Sequence, residues 1–489
     1  MDDPSNDSFT KRMQAKLAAS RFFTFSLLLH VVLVIMGGTV VLFQQMAEPP
    51  DFVSEGGDLI AGDSTPQAPP EAPPEMSQQM FAPDVPQVTA PQIQALITTN
   101  ISTPTFQVAA AMPTVKMPAN TLSQAVQNVS SSLTKSGLSG LPGTMAGRAG
   151  GTARMAAMKN SGGKEKSEKA VLAGLRWLVK NQREDGSWGS DQRVAMTGLA
   201  VLCFLGHGET PSSPEFGPSV KKGVDYLLKV GTEKEGRLEM TSSFSSGHPP
   251  VYSHGIASYA LGEYYTMTKD ERMKDVLTLA IKHIVDGQAP DGGWQYHFDK
   301  GPDSDTSVSG WMIQALKAAY LTGLNLEGVE PALDKAMLNL KRVQADNGSF
   351  GYRRKGDRDY SLTGVGVLCT YFWKGDKDQS IKDGIKSILD MTEKKYPVKY
   401  DGASADLYAW YYHTQACLMF GGSAWNKWNR WFQDEIADSQ SDDGSWPPIK
   451  AKNSGGELQQ KGDGDGPVYR TTLCVLMLEV FYRYMPTTK

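Results

Sequence analysis

Two carboxylates, Asp303 and Asp305, stand either side of Ser304, just before an apolar run that begins at Val308. At such spacing one ionised carboxylate disfavours ionisation of the other, and in a partly dry surrounding the second can be held as an acid. Paired carboxylates could also hold a calcium ion. Asp305, Thr306 and Ser307 suit a plainer purpose too, because short polar side chains at a helix start accept hydrogen bonds from its free backbone N–H groups. Other polar and aromatic side chains recur at the starts of further apolar runs: Arg193, Tyr252, His254, Asp359, Tyr360, Asp406, Tyr408 and Arg470. Brought together, they and Trp311 would form a rim able to bind a sugar, or would serve as ordinary caps and solvated helix ends. His254 lies one turn into its run and is a candidate base or a satisfied core side chain.

The elements that must position these residues repeat along the chain. Met196–Cys203 reads MTGLAVLC and Leu362–Cys369 reads LTGVGVLC. A turn also recurs, at Gln182–Trp188, Gln288–Trp294, Gln344–Phe350 and Gln440–Trp446. Each turn runs from Gln through Asp or Asn and Gly to an aromatic, with Gly free to take positive φ just past a helix end. Around the turns lie twelve helical segments of two alternating kinds. One kind is amphipathic, as where Leu333, Ala336, Met337, Leu340 and Val343 recur at helical spacing. The other is apolar nearly all round, over Val194–Leu205, Ser253–Tyr265, Val308–Tyr320, Thr363–Trp373, Leu407–Phe420 and Thr472–Tyr484. Helices without a polar face must be covered on both sides. The sequence therefore predicts an all-α domain over 166–489, six helical hairpins in two layers with the apolar set inside.

The four Gln-to-aromatic turns resemble the QW repeats of squalene cyclases and related terpene cyclases, and the alternating hairpins resemble the toroid those enzymes share with protein prenyltransferases. The chain is similar to membrane-tethered bacterial proteins with prenyltransferase and squalene-oxidase repeats. The resemblance implies a closed (α/α)6 toroid with a central cavity near the starts of the inner helices, and an isoprenoid as one class of ligand. It also implies an alkene-protonating acid at Asp303 or Asp305, with Trp311, Trp373, Trp410, Tyr411 and Tyr259 as candidate cavity aromatics. The cyclase signature Asp-x-Asp-Asp-Thr, however, is one residue short at Asp303-Ser304-Asp305-Thr306. Squalene-type cyclases have two barrels where this chain has residues for one. The Asp-x-Cys of the prenyltransferase zinc site is absent, so neither a metal nor another cofactor is expected, and Cys203, Cys369, Cys417 and Cys474 read as core residues. Polysaccharide lyases and glycosidases use the same toroid, which keeps a glycan ligand open. The expectation is a ligand-binding or envelope-organising module, with a terpenoid cyclase or a polysaccharide-cleaving enzyme as alternatives.

The first third of the chain has a different composition. All 10 Trp and 18 Tyr lie after residue 175. Residues 22–43 form an uncharged Leu- and Val-rich stretch long enough to span a bilayer as a single-pass helix. Lys11, Arg12, Lys16 and Arg21 precede it and no Lys or Arg follows until Lys116, which predicts residues 1–21 in the cytoplasm and the large domain exported to the periplasm. Residues 47–165, rich in Pro, Ser and Ala, read as a disordered tether, with a short helix possible over 121–133. Ser26 and His30, four apart in the span, resemble the Ser-x-x-x-His of TonB-type transducers, which implies contact with a proton-channel motor complex. With 49 Lys and Arg against 53 Asp and Glu, the balance lacks the basic excess of a nucleic-acid binder.

Overall fold

A computed structural model describes residues 141–485 apart from 240–249, 299, 302, 376 and 452–456. The span with Ser26 and His30, and the tether up to residue 140, lie outside the described residues. No helix among the described residues is long and apolar enough to cross a membrane.

The described chain is all-helical. After α1 (Gly151–Asn160) come twelve helices in hairpin order: α2 (Glu165–Lys180), α3 (Arg193–Gly206), α4 (Gly217–Glu233), α5 (Pro250–Thr268), α6 (Lys274–Asp286), α7 (Thr306–Leu321), α8 (Val329–Val343), α9 (Asp359–Lys374), α10 (Gln379–Lys394), α11 (Leu407–Phe420), α12 (Gly422–Asp438) and α13 (Gly466–Leu478). A single turn, α14 (Val480–Arg483), follows. The odd-numbered members, α3 to α13, are buried nearly all round and form the inner layer. The even-numbered ones, α2 to α12, bury one stripe, for example Leu333, Ala336, Met337 and Leu340 in α8. Each inner helix packs on its neighbours in sequence, and α13 returns onto α3, so the six close into a ring. The repeated MTG and LTG stretches have a packing reason. A Cβ on Gly198 would stand 3.2 Å from the Ala257 backbone, and one on Gly364 would stand 2.8 Å from the His413 nitrogen.

The recurring turns build the contacts between hairpins by one hydrogen-bond scheme. The Gln amide donates to the Gly carbonyl of its own turn and to a carbonyl in the first turns of the next outer helix. These carbonyls are Ser219 for Gln182, Ala332 for Gln288, Ser380 for Gln344 and Ala170 for Gln440, at 2.7–3.0 Å. The last of these joins α12 to α2 and closes the outer layer. Gly186, Gly292, Gly348 and Gly444 have φ of 84–92° and lie against the same outer helices, where a Cβ would meet backbone oxygen at 2.1–2.4 Å. Trp188, Trp294 and Trp446 are buried, and each donates its indole N–H at 2.7 Å to the carbonyl ten residues earlier. Phe350 has no such donor and contributes burial alone. At the inner-layer seam, Asp465 accepts from the Ser190 and Gln192 nitrogens at 2.7 and 3.0 Å.

Two sequence expectations are corrected. The tether does not extend to residue 165, since Gly143–Arg148 forms a 3-10 turn and α1 follows it. The last inner helix begins at Gly466 and breaks after Leu478, where Glu479 caps it, instead of running from Thr472 to Tyr484. Gly143–Arg148 and the break after Leu478 both lie at the C-terminal ends of the inner helices. There Arg148, fully buried, donates to Glu263 at 2.7 Å and to the Arg483 carbonyl at 2.7 Å. Arg483 donates to Tyr259 at 2.9 Å, and Tyr484 bonds to both Tyr259 and Glu263. Glu479 is buried beside them, and burial pushes its carboxyl well above the usual range. This end of the ring is largely filled, with a smaller cavity of about 80 Å³ left among Tyr259, Gln314, Phe372 and Tyr484.

Candidate functional site

The opposite end, where the inner helices start, is open. A cavity of about 270 Å³ is lined by a residue at or beside the start of every inner helix: Gln192, Tyr252, Ser307, Ser361, Tyr408 and Tyr469. Trp311, one turn into α7, forms part of the wall, and Tyr296 and Tyr352 enter from the turns before α7 and α9. Six aromatic rings thus surround the space. Arg358 and Glu457 complete the polar lining.

Four of the five tyrosine hydroxyls are engaged with the protein, and that of Tyr469 has no hydrogen-bond partner among the described residues. Tyr252 bonds to Ser307 Oγ at 2.6 Å, Tyr296 and Tyr352 bond to each other, and Tyr408 donates to the Ser307 carbonyl at 3.4 Å. Burial first, and then the charge of Asp305 among neighbouring groups, holds these four phenols above their ordinary range. They are neutral, and what they turn to the cavity is largely ring surface.

Asp305 itself is fully buried at the N-cap of α7. Its Oδ1 accepts from the Ser307 and Val308 nitrogens at 2.8 and 3.2 Å and from Ser307 Oγ at 2.5 Å, while Oδ2 has no hydrogen-bond partner. Asp303 is directed elsewhere, to an exposed ion pair with Arg354 at 3.4 Å. The two carboxylates are therefore not paired with each other.

Of the other residues singled out by sequence, Tyr252, Tyr408 and Trp311 meet in the cavity. The rest do not. His254 accepts from the Leu238 nitrogen at Nδ1 and donates from Nε2 to the Ala280 carbonyl, both at 3.0 Å, so neither nitrogen is left for a substrate. Burial lowers its pKa to about 4. Arg470 is buried and donates to the Trp446 and Lys461 carbonyls at 3.0 and 2.5 Å, pinning the chain before α13. Arg193 pairs with Asp185 at 2.7 Å on the outside. Asp406 caps α11 through the Ala409 nitrogen, and Asp359 accepts from the nitrogen of Tyr360. Tyr360 stacks on Tyr396 instead of facing the cavity. Tyr259 and Tyr411 belong to the filled end, where both meet Arg483. Trp373 stands edge-on to Tyr320, and Trp410 is fully buried without lining the cavity. All four cysteines are buried and free. Among the described residues no group of three or more His, Cys, Asp or Glu could hold a metal ion.

Tyr296 and Tyr352, which sequence reasoning missed, carried a readable signal. Each stands two residues after the aromatic of a repeated turn, Trp294 and Phe350, and so at one position of the repeat. Gln192, Arg358, Glu457 and Tyr469 carried none.

No family model matches the chain, and no curated protein matches it. Solved structures do. A GH76A alpha-1,6-mannanase from Salegentibacter sp. HEL1_6 is 12% identical, with 64% of this chain and 98% of that one covered, at a TM-score of 0.49. A type II terpene cyclase from Scytonema is 13% identical over 65% of this chain and 98% of that one, at a TM-score of 0.45. A glycosidase variant in complex with glucose is 11% identical over 64% and 97%, at 0.44.

Proposed function

We propose that the ring is a binding module for a small, largely apolar ligand held in the aromatic chamber. The observation that carries this reading is the engagement of four of the five lining tyrosine hydroxyls with protein partners, which leaves that of Tyr469 as the one phenol open to a ligand. A glycan site needs convergent free donors and acceptors, whereas this chamber offers ring faces and a few polar groups at its edge. A volume of about 270 Å³ is slightly below the usual span for ligand pockets, which favours a compact molecule or the end of a longer one. An isoprenoid fragment suits that space. Catalysis of the cyclase kind has weaker support, because Asp305 serves as a helix cap and Asp303 is paired with Arg354. Glycoside cleavage calls for two carboxylates facing the bond, and Glu457 is the single carboxylate among the described lining residues.

The test is calorimetric titration of the full chain with geraniol and with an α-1,6-mannobiose. Geraniol should bind and mannobiose should not, and Trp311→Ala should weaken geraniol binding at least tenfold. Binding of mannobiose alone would transfer the site to the glycan alternative. Conversion of geraniol or a longer polyprene to cyclic products, lost in Asp305→Asn, would replace binding with catalysis.

In the same reading the module is held at a membrane by residues 22–43, with residues 1–21 inside, the ring exported and Ser26 and His30 turned toward a proton-channel complex. His30→Leu should leave insertion intact and abolish co-purification with that complex, and unchanged association would remove the motor from the proposal.

A further inference from the structure

The edge of the chamber carries charge that its surroundings leave unmatched. The segment Arg353-Arg354-Lys355-Gly356-Asp357-Arg358 leads from Tyr352 to the start of α9. Arg354 and Lys355 have carboxylate partners in Asp303 and Asp346. Arg353 and Arg358 have none among the described residues. Both guanidinium groups instead lie over the ring of Tyr352, at 5.3 and 4.9 Å from its centroid, and Arg353 also stands 5.9 Å from that of Tyr296. Arg358 lines the cavity, and it reaches there from a left-handed backbone at φ 50°. The Nε of Arg353 is buried with no hydrogen-bond partner.

This arrangement is specific in its chemistry. Contact with an aromatic ring is made by the face of a guanidinium and leaves its in-plane N–H donors open. Arg358, placed so at the cavity edge, presents a fork suited to the oxygens of a phosphate or carboxylate. Just inward the surroundings change sign, since Asp305 is fully buried behind the tyrosines. A second anion there would be repelled, so a ligand is oriented with its charge at the edge and its apolar body inward.

We infer that the chamber takes an amphiphile bearing one anionic group, with Arg358 binding that group, Arg353 beside Tyr352 adding positive charge at the edge, and the aromatic walls receiving the apolar body. The inference rests on the apolar-chamber reading above and adds the head group. Its test uses n-octyl phosphate, n-octanoate, n-octanol and n-octyltrimethylammonium with the full chain, by calorimetric titration. Octyl phosphate or octanoate should bind at least about tenfold more tightly than octanol, as expected of a charge-assisted pair of hydrogen bonds. Whichever of the two is tighter identifies the head group. The advantage should shrink with added salt. In the Arg353→Ala/Arg358→Ala double variant the ratio of anion to octanol affinity should fall to about one while the melting temperature is retained, and Arg353→Lys/Arg358→Lys should recover only part of it. Equal affinity for octanol and both anions, or tighter binding of the ammonium compound, would overturn the anionic head alone. Absence of binding by all four probes would remove the chamber reading and this one with it.

Discussion

The two ends of the ring are made by the same six inner helices and yet are opposites. Where these helices start, tyrosine and tryptophan surround an open space, and the charged groups stand at its edge or, like Asp305, behind the rings. Where they end, Arg148, Glu263, Glu479 and Arg483 are buried in a network that leaves only a cavity of about 80 Å³. The difference comes from what the chain lays across each end. The starts are bordered by turns that carry their aromatics inward. The ends are covered by Gly143–Arg148, α1 and α14, which bring guanidinium groups into contact with carboxylates and phenols. A ring of hairpins therefore does not determine whether its centre is hollow. The segments outside the repeat do.

The contrast is most easily broken at the filled end. Arg148→Ala leaves Glu263 buried beside an empty space, and removing one partner of a buried pair costs about 3–5 kcal/mol. Urea denaturation of the full chain should show that loss. A change under about 1 kcal/mol, the range of exposed pairs, would mean that the network is wetter than its burial implies.

Next in size is a pH effect in the wall between the ends. Unfolded, His254 takes up a proton near pH 6.5. Folded, it does so at about 4, because burial disfavours the cation. Its contribution to stability is complete above pH 6.5 and is lost as the pH falls toward 4, roughly 3 kcal/mol in all. Urea midpoints should fall across that window, and less steeply in His254→Gln. An equal slope in the variant would remove His254 from the account.

At the open end the expected effects are smaller. Asp305→Ala removes the cap of α7 and should cost about 0.5–2 kcal/mol, with Asp305→Asn retaining most of the stability. If Asp305→Asn were as damaging as alanine, the carboxylate charge would matter more than the cap. Smallest is Arg193→Ala. Its partly exposed pair with Asp185 should contribute no more than about 1 kcal/mol, and thermal melting should barely move.

Much of this contrast was legible in the sequence, and its limits have physical causes. The turns could be read because their chemistry is local: Gly444 needs its φ wherever the helix ends, and Gln440 and Trp446 follow in register. The inner and outer layers could be read because a buried helix has no polar face. Tyr252, Tyr408 and Trp311 were reached because they stand at or just inside helix starts. His254 and Arg470 stand at such starts too, but satisfy backbone groups in the walls, and spacing alone cannot tell these fates apart. Gly143–Asn160 could not be read at all. Its small residues show no period, and its place in the fold depends on one arginine meeting a glutamate 115 residues further on.

The bond from Gln440 to the Ala170 carbonyl makes the last hairpin treat the first as its successor. An open solenoid can shed a terminal repeat and forfeit one interface. Here deletion of any hairpin severs two and leaves the survivors curved for a circle they can no longer complete, so shortening this domain is an all-or-none event.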